Sequence, residues 1–237
     1  LRGWRRFLLA LFLGALLALA LPPFHLIPLA AVALTGLAWM IEGTKNGRGA
    51  FGVGWTFGFG HFLAGLYWIV NALLLFGTKF LVVYPIVVGF LPSILAIFIG
   101  LATMATRLTP LAGPARILAL AGWWIAFEWL RGNIFTGFPW NLTGYVWAFS
   151  DQMLQLASLL GVYGLSFLAV AALAMPATLG EAKSLRRGAS FAVLGAMAAL
   201  AATFGFGAAR LAMAPALGSD VDPAVVLRVV QPNVEQV

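Results

Sequence analysis

Long apolar runs, broken by short polar or basic knots, set the pattern of this chain. A helix that crosses a bilayer needs roughly 20 mostly apolar residues, and seven stretches fit. The first runs from about Phe7 to Leu21 and stops at Pro22-Pro23, where a helix cannot continue. The second runs from about Leu26 to Ile41. The third lies between Arg48 and Lys79, and the fourth between Lys79 and Arg107. The fifth spans about Leu111 to Leu130, with Pro114 near its first turn, a place that tolerates proline. The sixth falls between Leu154 and Gly180 and the seventh between Gly188 and Ala209.

Two segments resist this pattern. The connection from Gly132 to Gln152 is apolar but crowded with Gly, Pro and Asn. Irregular backbone exposed to lipid is excluded at membrane depth. This segment is therefore expected at the outer interface or lining a cavity walled by helices. The other is the tail: APALGSDVDPA reads as a polar linker, VVLRVVQ as a short β-branched strand, and Pro232-Asn233 as a turn. The expected organisation is a helical membrane domain over 1–213, a linker over 214–224 and the opening of an extramembrane domain over 225–237.

Composition sharpens the class. Of 237 residues, 62% are hydrophobic and 9% charged, against about 25% charged in a soluble domain. Mean hydropathy is +1.00. The expected fold is an all-α polytopic membrane protein. A net charge of +7 does not point to nucleic acid, because the basic residues form short clusters between apolar runs rather than a stripe. If the N-terminus is cytoplasmic, ten basic residues fall inside: Arg2, Arg5, Arg6, Lys45, Arg48, Arg107, Arg116, Lys183, Arg186 and Arg187. Lys79, Arg131, Arg210 and Arg228 fall outside. That asymmetry favours N-terminus inside, and seven spans then leave the C-terminal end outside. Cysteine is absent, and the first residue, Leu1, suggests a clipped N-terminus. The run after Arg6 reads as the first span, since no A-x-A-like cleavage site follows.

Few side chains within the apolar runs carry chemistry. Glu128 and Arg131 are three apart on one helix face and are expected to form an ion pair, with Arg131 reaching the headgroups or the entrance of a site. Gly137 permits a sharp turn, and Pro139 drives Phe138 away from helix. The result is a rigid bend presenting Phe138 and Trp140, either as interfacial anchors or as the wall of a lipid-chain pocket. Gly54 with Gly58, and Gly60 with Ala64, form small-xxx-small faces suited to close helix packing, or to a groove for an acyl chain. His61 stands alone on an apolar helix, and no metal site or cofactor is expected there. His25 is expected in a wet outer loop. Asn141-Leu142-Thr143 matches a glycosylation tripeptide that arises often by chance.

FGFGHFLAGLYW, EWLRGNIFTGFPWNLTGY, LLGVYGLSF and RVVQPNV together resemble apolipoprotein N-acyltransferase of the bacterial cytoplasmic membrane. The resemblance covers nearly the whole chain, and EWLRG…FTGFPWN is its most specific block. It implies a nitrilase-like domain outside the membrane after the seventh helix, of which RVVQPNV resembles the first strand. It also implies a two-step acyl exchange. A cysteine thiolate takes an acyl chain from a phospholipid, and the chain passes to the α-amino group of a lipoprotein's lipid-modified N-terminal cysteine. A glutamate base and an oxyanion-supporting lysine assist. All three residues belong to the nitrilase-like domain. This sequence has no Cys, Glu235 lies too early to match the base, and the family's eighth span is not present. The chain is thus expected to be the membrane half, inert alone. By the same resemblance Gly137, Phe138, Pro139 and Trp140 shape a lipid entrance, with Arg131 and Tyr145 at the headgroup level. Expected partners are a phospholipid donor, a lipoprotein acceptor and membrane lipids, with no nucleic acid. A multi-pass transporter and a non-catalytic membrane scaffold are the alternatives. A transporter places titratable groups near the midplane of two repeats, and no convincing repeat is found.

Overall fold

A computed structural model of the chain describes residues 3–69, 85–134, 137–180 and 186–214. Among these, every regular element is helical. The expected strand in VVLRVVQ and nearly all of the expected linker lie outside the described residues. The longer helices are α1 (Trp4–Leu19), α2 (Ile27–Glu42), α3 (Gly47–Gly65), α4 (Leu91–Leu108), α5 (Gly113–Asn133), α6 (Ala157–Ala174) and α7 (Arg186–Ala212). A π-helical turn at Ile86–Phe90 leads into α4, and a 3-10 segment at Met175–Gly180 extends α6.

Each apolar stretch thus contains a helix, but not every helix has the dimensions of a span. Val88–Leu108, Ala157–Gly180 and Gly188–Ala212 are long and apolar enough to cross a membrane. The α1 and α2 helices have 16 residues each, a rise of about 24 Å against a hydrocarbon core of roughly 30 Å. The α3 helix ends at Gly65, where Leu66 leaves helical geometry.

Local chemistry explains where helices begin. Asn46 caps α3 by accepting the Gly49 amide at 2.9 Å, which satisfies one of the orphan donors of the first turn. Pro114 occupies the first turn of α5. Hydroxyls inside helices return to their own backbone. Thr56 donates to the Gly52 carbonyl at 2.8 Å and Thr106 to the Ala102 carbonyl at 2.8 Å, so neither is orphaned in an apolar medium.

Glycine sets the packing of the centre. The α3 helix lies against α1 on one side and α4 on the other. A Cβ at Gly60 would strike the Leu11 carbonyl of α1, and one at Gly14 would strike the Phe57 carbonyl of α3. Gly54 and Gly58 face Thr103, Ile99 and Ala96 of α4. At Gly54, Gly58 and Gly60 these faces are therefore filled by neighbouring backbone and short side chains, as close packing requires. Gly60→Ala is expected to destabilise the full-length protein by about 1–3 kcal/mol through overpacking. Gly122→Ala, where a Cβ meets nothing within 4 Å, is expected to be neutral or mildly stabilising. Thermal unfolding of the two variants in detergent checks the contrast; equal shifts would contradict it.

The remaining helices build outward. The α5 helix packs on α4 and α6, and α2 bridges α1, α3 and α6. Trp39 of α2 donates its indole N–H to the Ala177 carbonyl at 2.8 Å, and Thr35 donates to the Leu173 carbonyl at 3.1 Å. At one end of the bundle Arg116 pairs with Glu42 at 3.0 Å and Arg107 donates to the Thr44 carbonyl at 3.1 Å. The α7 helix packs on a single helical turn at Asp151–Leu154 and on Met175–Gly180, with most of its surface exposed.

Candidate functional site

The connection after α5 is held in an irregular shape by side chains from three helices. It leaves α5 at Asn133, and the Phe138 amide returns to the Arg131 carbonyl at 3.0 Å. Gly137 has φ 73, the left-handed region that glycine enters without penalty, and a Cβ there would collide with the Gly132 carbonyl. Asn141 also adopts positive φ, at 52, which Asn tolerates better than most residues. Thr143–Trp147 then forms a 3-10 turn seated on α6.

Arg131 is the first fastening. It is only 3% exposed. One terminal nitrogen donates to the Phe138 carbonyl and also to the Trp140 carbonyl, the latter at 2.8 Å. Its guanidinium lies over the Phe62 ring of α3, 5.0 Å from the centroid. Glu128, 5% exposed, is the second. Its Oε1 accepts the Thr143 amide and hydroxyl, both at 2.8 Å, and the Trp124 indole N–H at 3.1 Å. The same indole N–H reaches the Thr143 hydroxyl at 2.9 Å. Further fastenings come from α3 and α6. His61 Nε2 lies 3.4 Å from the Asn141 carbonyl, and the Gly144 amide donates to the Ser166 hydroxyl at 2.8 Å.

Glu128 and Arg131, expected to pair, are both buried residues of α5. Glu128 and Arg131 do not bridge each other; each turns to the connection instead. The physical reason is that buried backbone groups must find partners. The bend offers carbonyls to the cation and an amide to the carboxylate. Arg131 is buried beneath the bend.

Above these fastenings lies an open crevice of about 410 Å3. Its walls come from the end of α1 and the Pro22-Pro23 turn, the end of α3 with Tyr67 and Trp68, and the connection itself through Trp140, Asn141 and Tyr145. Trp140 is 51% exposed and Tyr145 38%. The Trp140 ring sits 5.2 Å from Trp68 and 6.3 Å from Phe138. Of the candidate residues, Trp140 and Tyr145 line the crevice and Phe138 supports Trp140. Gly137 and Pro139 shape the bend, and Arg131 clamps it from below. Such a surface can hold a flexible apolar chain; among its described walls there is no acid, base or nucleophile set for catalysis. His25 is half-buried with its ring 6.5 Å from Phe149, drier than expected of a loop residue.

Trp124, Thr143 and His61 join the site beyond the residues expected from the sequence. The Trp124/Glu128 spacing of one helical turn was a legible signal. Thr143 and His61 carried none, since only folding brings them to the connection.

Comparison with known proteins bears on this geometry. The family model for the apolipoprotein N-acyltransferase N-terminal domain matches residues 13–175. An apolipoprotein N-acyltransferase of Allorhizobium ampelinum is 42% identical over 245 residues, covering 100% of this chain and 45% of that protein. One of Brucella suis is 41% identical with the same coverage. One of Rhodopseudomonas palustris is 39% identical, covering 99% of this chain and 44% of that protein. The chain therefore spans less than half the length of the curated relatives it matches.

Proposed function

This chain belongs to the apolipoprotein N-acyltransferase family, and from that premise we propose that it is the membrane portion of an enzyme transferring an acyl chain from a phospholipid to the N-terminal lipid-modified cysteine of lipoproteins. The protein sits in the bacterial inner membrane with α1 to α7 as seven crossings, N-terminus inside. The basic residues clustered at one side of that topology support the orientation. The catalytic cysteine, glutamate and lysine are assigned to a nitrilase-like domain beyond residue 224, on the outer side, so the membrane helices transfer nothing alone.

The observation that carries this reading is the clamped bend, which presents Trp140 and Tyr145 in an apolar crevice of about 410 Å3. Fastening by Arg131, Glu128 and His61 keeps irregular backbone satisfied where helix would otherwise be required. The exposed rings then serve as a fixed wall for an acyl chain on its way to the thiol. Phospholipid and lipoprotein are the substrates on this reading. The buried titratable groups hold backbone rather than line a path across the bundle, which counts against a transporter.

Trp140→Ala in the full-length enzyme is the test. Acyl-thioester formation is expected to fall about tenfold, the worth of roughly 1.4 kcal/mol of lost chain contact. Unchanged thioester formation at normal protein level would remove Trp140 and the crevice from the substrate path.

A further inference from the structure

The far end of the α1–α2 pair carries a second groove, separate from the crevice. It has a volume of about 370 Å3 and is lined by Arg6, Leu9, Leu13, Val32, Trp39 and Met40 among others. Its polar groups are nearly all engaged. The Trp39 indole N–H is donated to Ala177. Glu42, the acid that follows in α2, is held by Arg116. Arg6 differs: its Nε is shielded from solvent and has no hydrogen-bond partner in the protein, while its guanidinium rests 5.1 Å from the Phe7 ring centroid.

The Arg6 guanidinium is a partly buried charge, and such a charge without a counter-charge is costly, more so in a low-dielectric setting. No acid lines this groove to pair with it. An anion with an apolar tail answers both needs, as basic pockets between membrane helices do for anionic lipid headgroups. We propose that this groove binds one anionic glycerophospholipid, its phosphate accepting from Arg6 and one acyl chain lying between α1 and α2 over Leu13 and Val32. The site is distinct from the acyl-donor crevice, and its assignment to the inner leaflet rests on the orientation given above.

The test uses delipidated full-length enzyme, with native mass spectrometry during titration by phosphatidylglycerol or by phosphatidylethanolamine of the same chains. The unaltered protein is expected to retain phosphatidylglycerol in preference. Arg6→Gln should weaken that retention about fivefold, the scale of one basic residue near an anionic headgroup. Arg5→Gln, the same charge change at an exposed neighbour, should leave it unchanged. Val32→Trp, which fills the groove with the charge intact, should weaken it as well. Equal losses from Arg5→Gln and Arg6→Gln, no effect of Val32→Trp, or equal retention of the two lipids would each overturn the site. Acyl transfer is measured on the same samples. Lipid retention without any acyl transfer would sink the functional reading and leave this one standing.

Discussion

Arg131→Met is expected to lower the stability of the full-length enzyme by about 2–6 kcal/mol, roughly 1–3 for each of two buried carbonyls left without a donor, and to reduce acyl transfer about a hundredfold. Methionine retains most of the stem but no donor. The Phe138 and Trp140 carbonyls then lose their shared partner, and the Phe62 ring loses the cation above it. Misplacement of a positioning element by about 1 Å can cost a hundredfold in rate, and Trp140 is positioned through its own carbonyl. Arg131→Lys separates the clamp from mere packing. Both carbonyls accept from one guanidinium nitrogen, so a single ammonium can serve them, and part of the loss should be recovered. Thermal unfolding and acyl-thioester formation are the readouts. Equal damage from Met and Lys would show that hydrogen bonding to the bend is not what Arg131 supplies.

Glu128→Leu is expected to be comparably destabilising, about 2–6 kcal/mol, because the Thr143 amide and hydroxyl and the Trp124 indole lose a common acceptor. Glu128→Gln should behave differently. Its amide oxygen can accept the same donors, and its nitrogen would stand where Oε2 has no hydrogen-bond partner in the protein. A loss of about 1 kcal/mol is expected, with acyl transfer largely retained. If Gln proves as damaging as Leu, the charge of Glu128 rather than its acceptor is essential, and its role as a fastening is wrong.

The helices were legible because apolar length needs no knowledge of neighbours. The runs around α2, α5 and α7 gave their positions to within a few residues. The bend was legible too, since Gly137 and Pro139 constrain backbone locally. The partnership of Glu128 and Arg131 was not. Their spacing places them on one face, and sequence offers each the other as the obvious mate. What sequence does not contain is the set of carbonyls and amides that the returning connection brings within reach of Arg131 and of one Glu128 oxygen.

By itself the sequence determined a helical membrane class, the irregular segment between α5 and α6, and the family to which they belong, because hydrophobic period and local backbone restriction are properties of neighbouring residues. Only the tertiary structure decided that Glu128, Arg131 and His61 fasten that segment, that glycines of α3 are filled by α1 and α4, and that Trp140 and Tyr145 share a crevice with Trp68. Those choices depend on which buried donors and acceptors meet across the bundle, and that is settled only when every backbone group removed from water finds a partner.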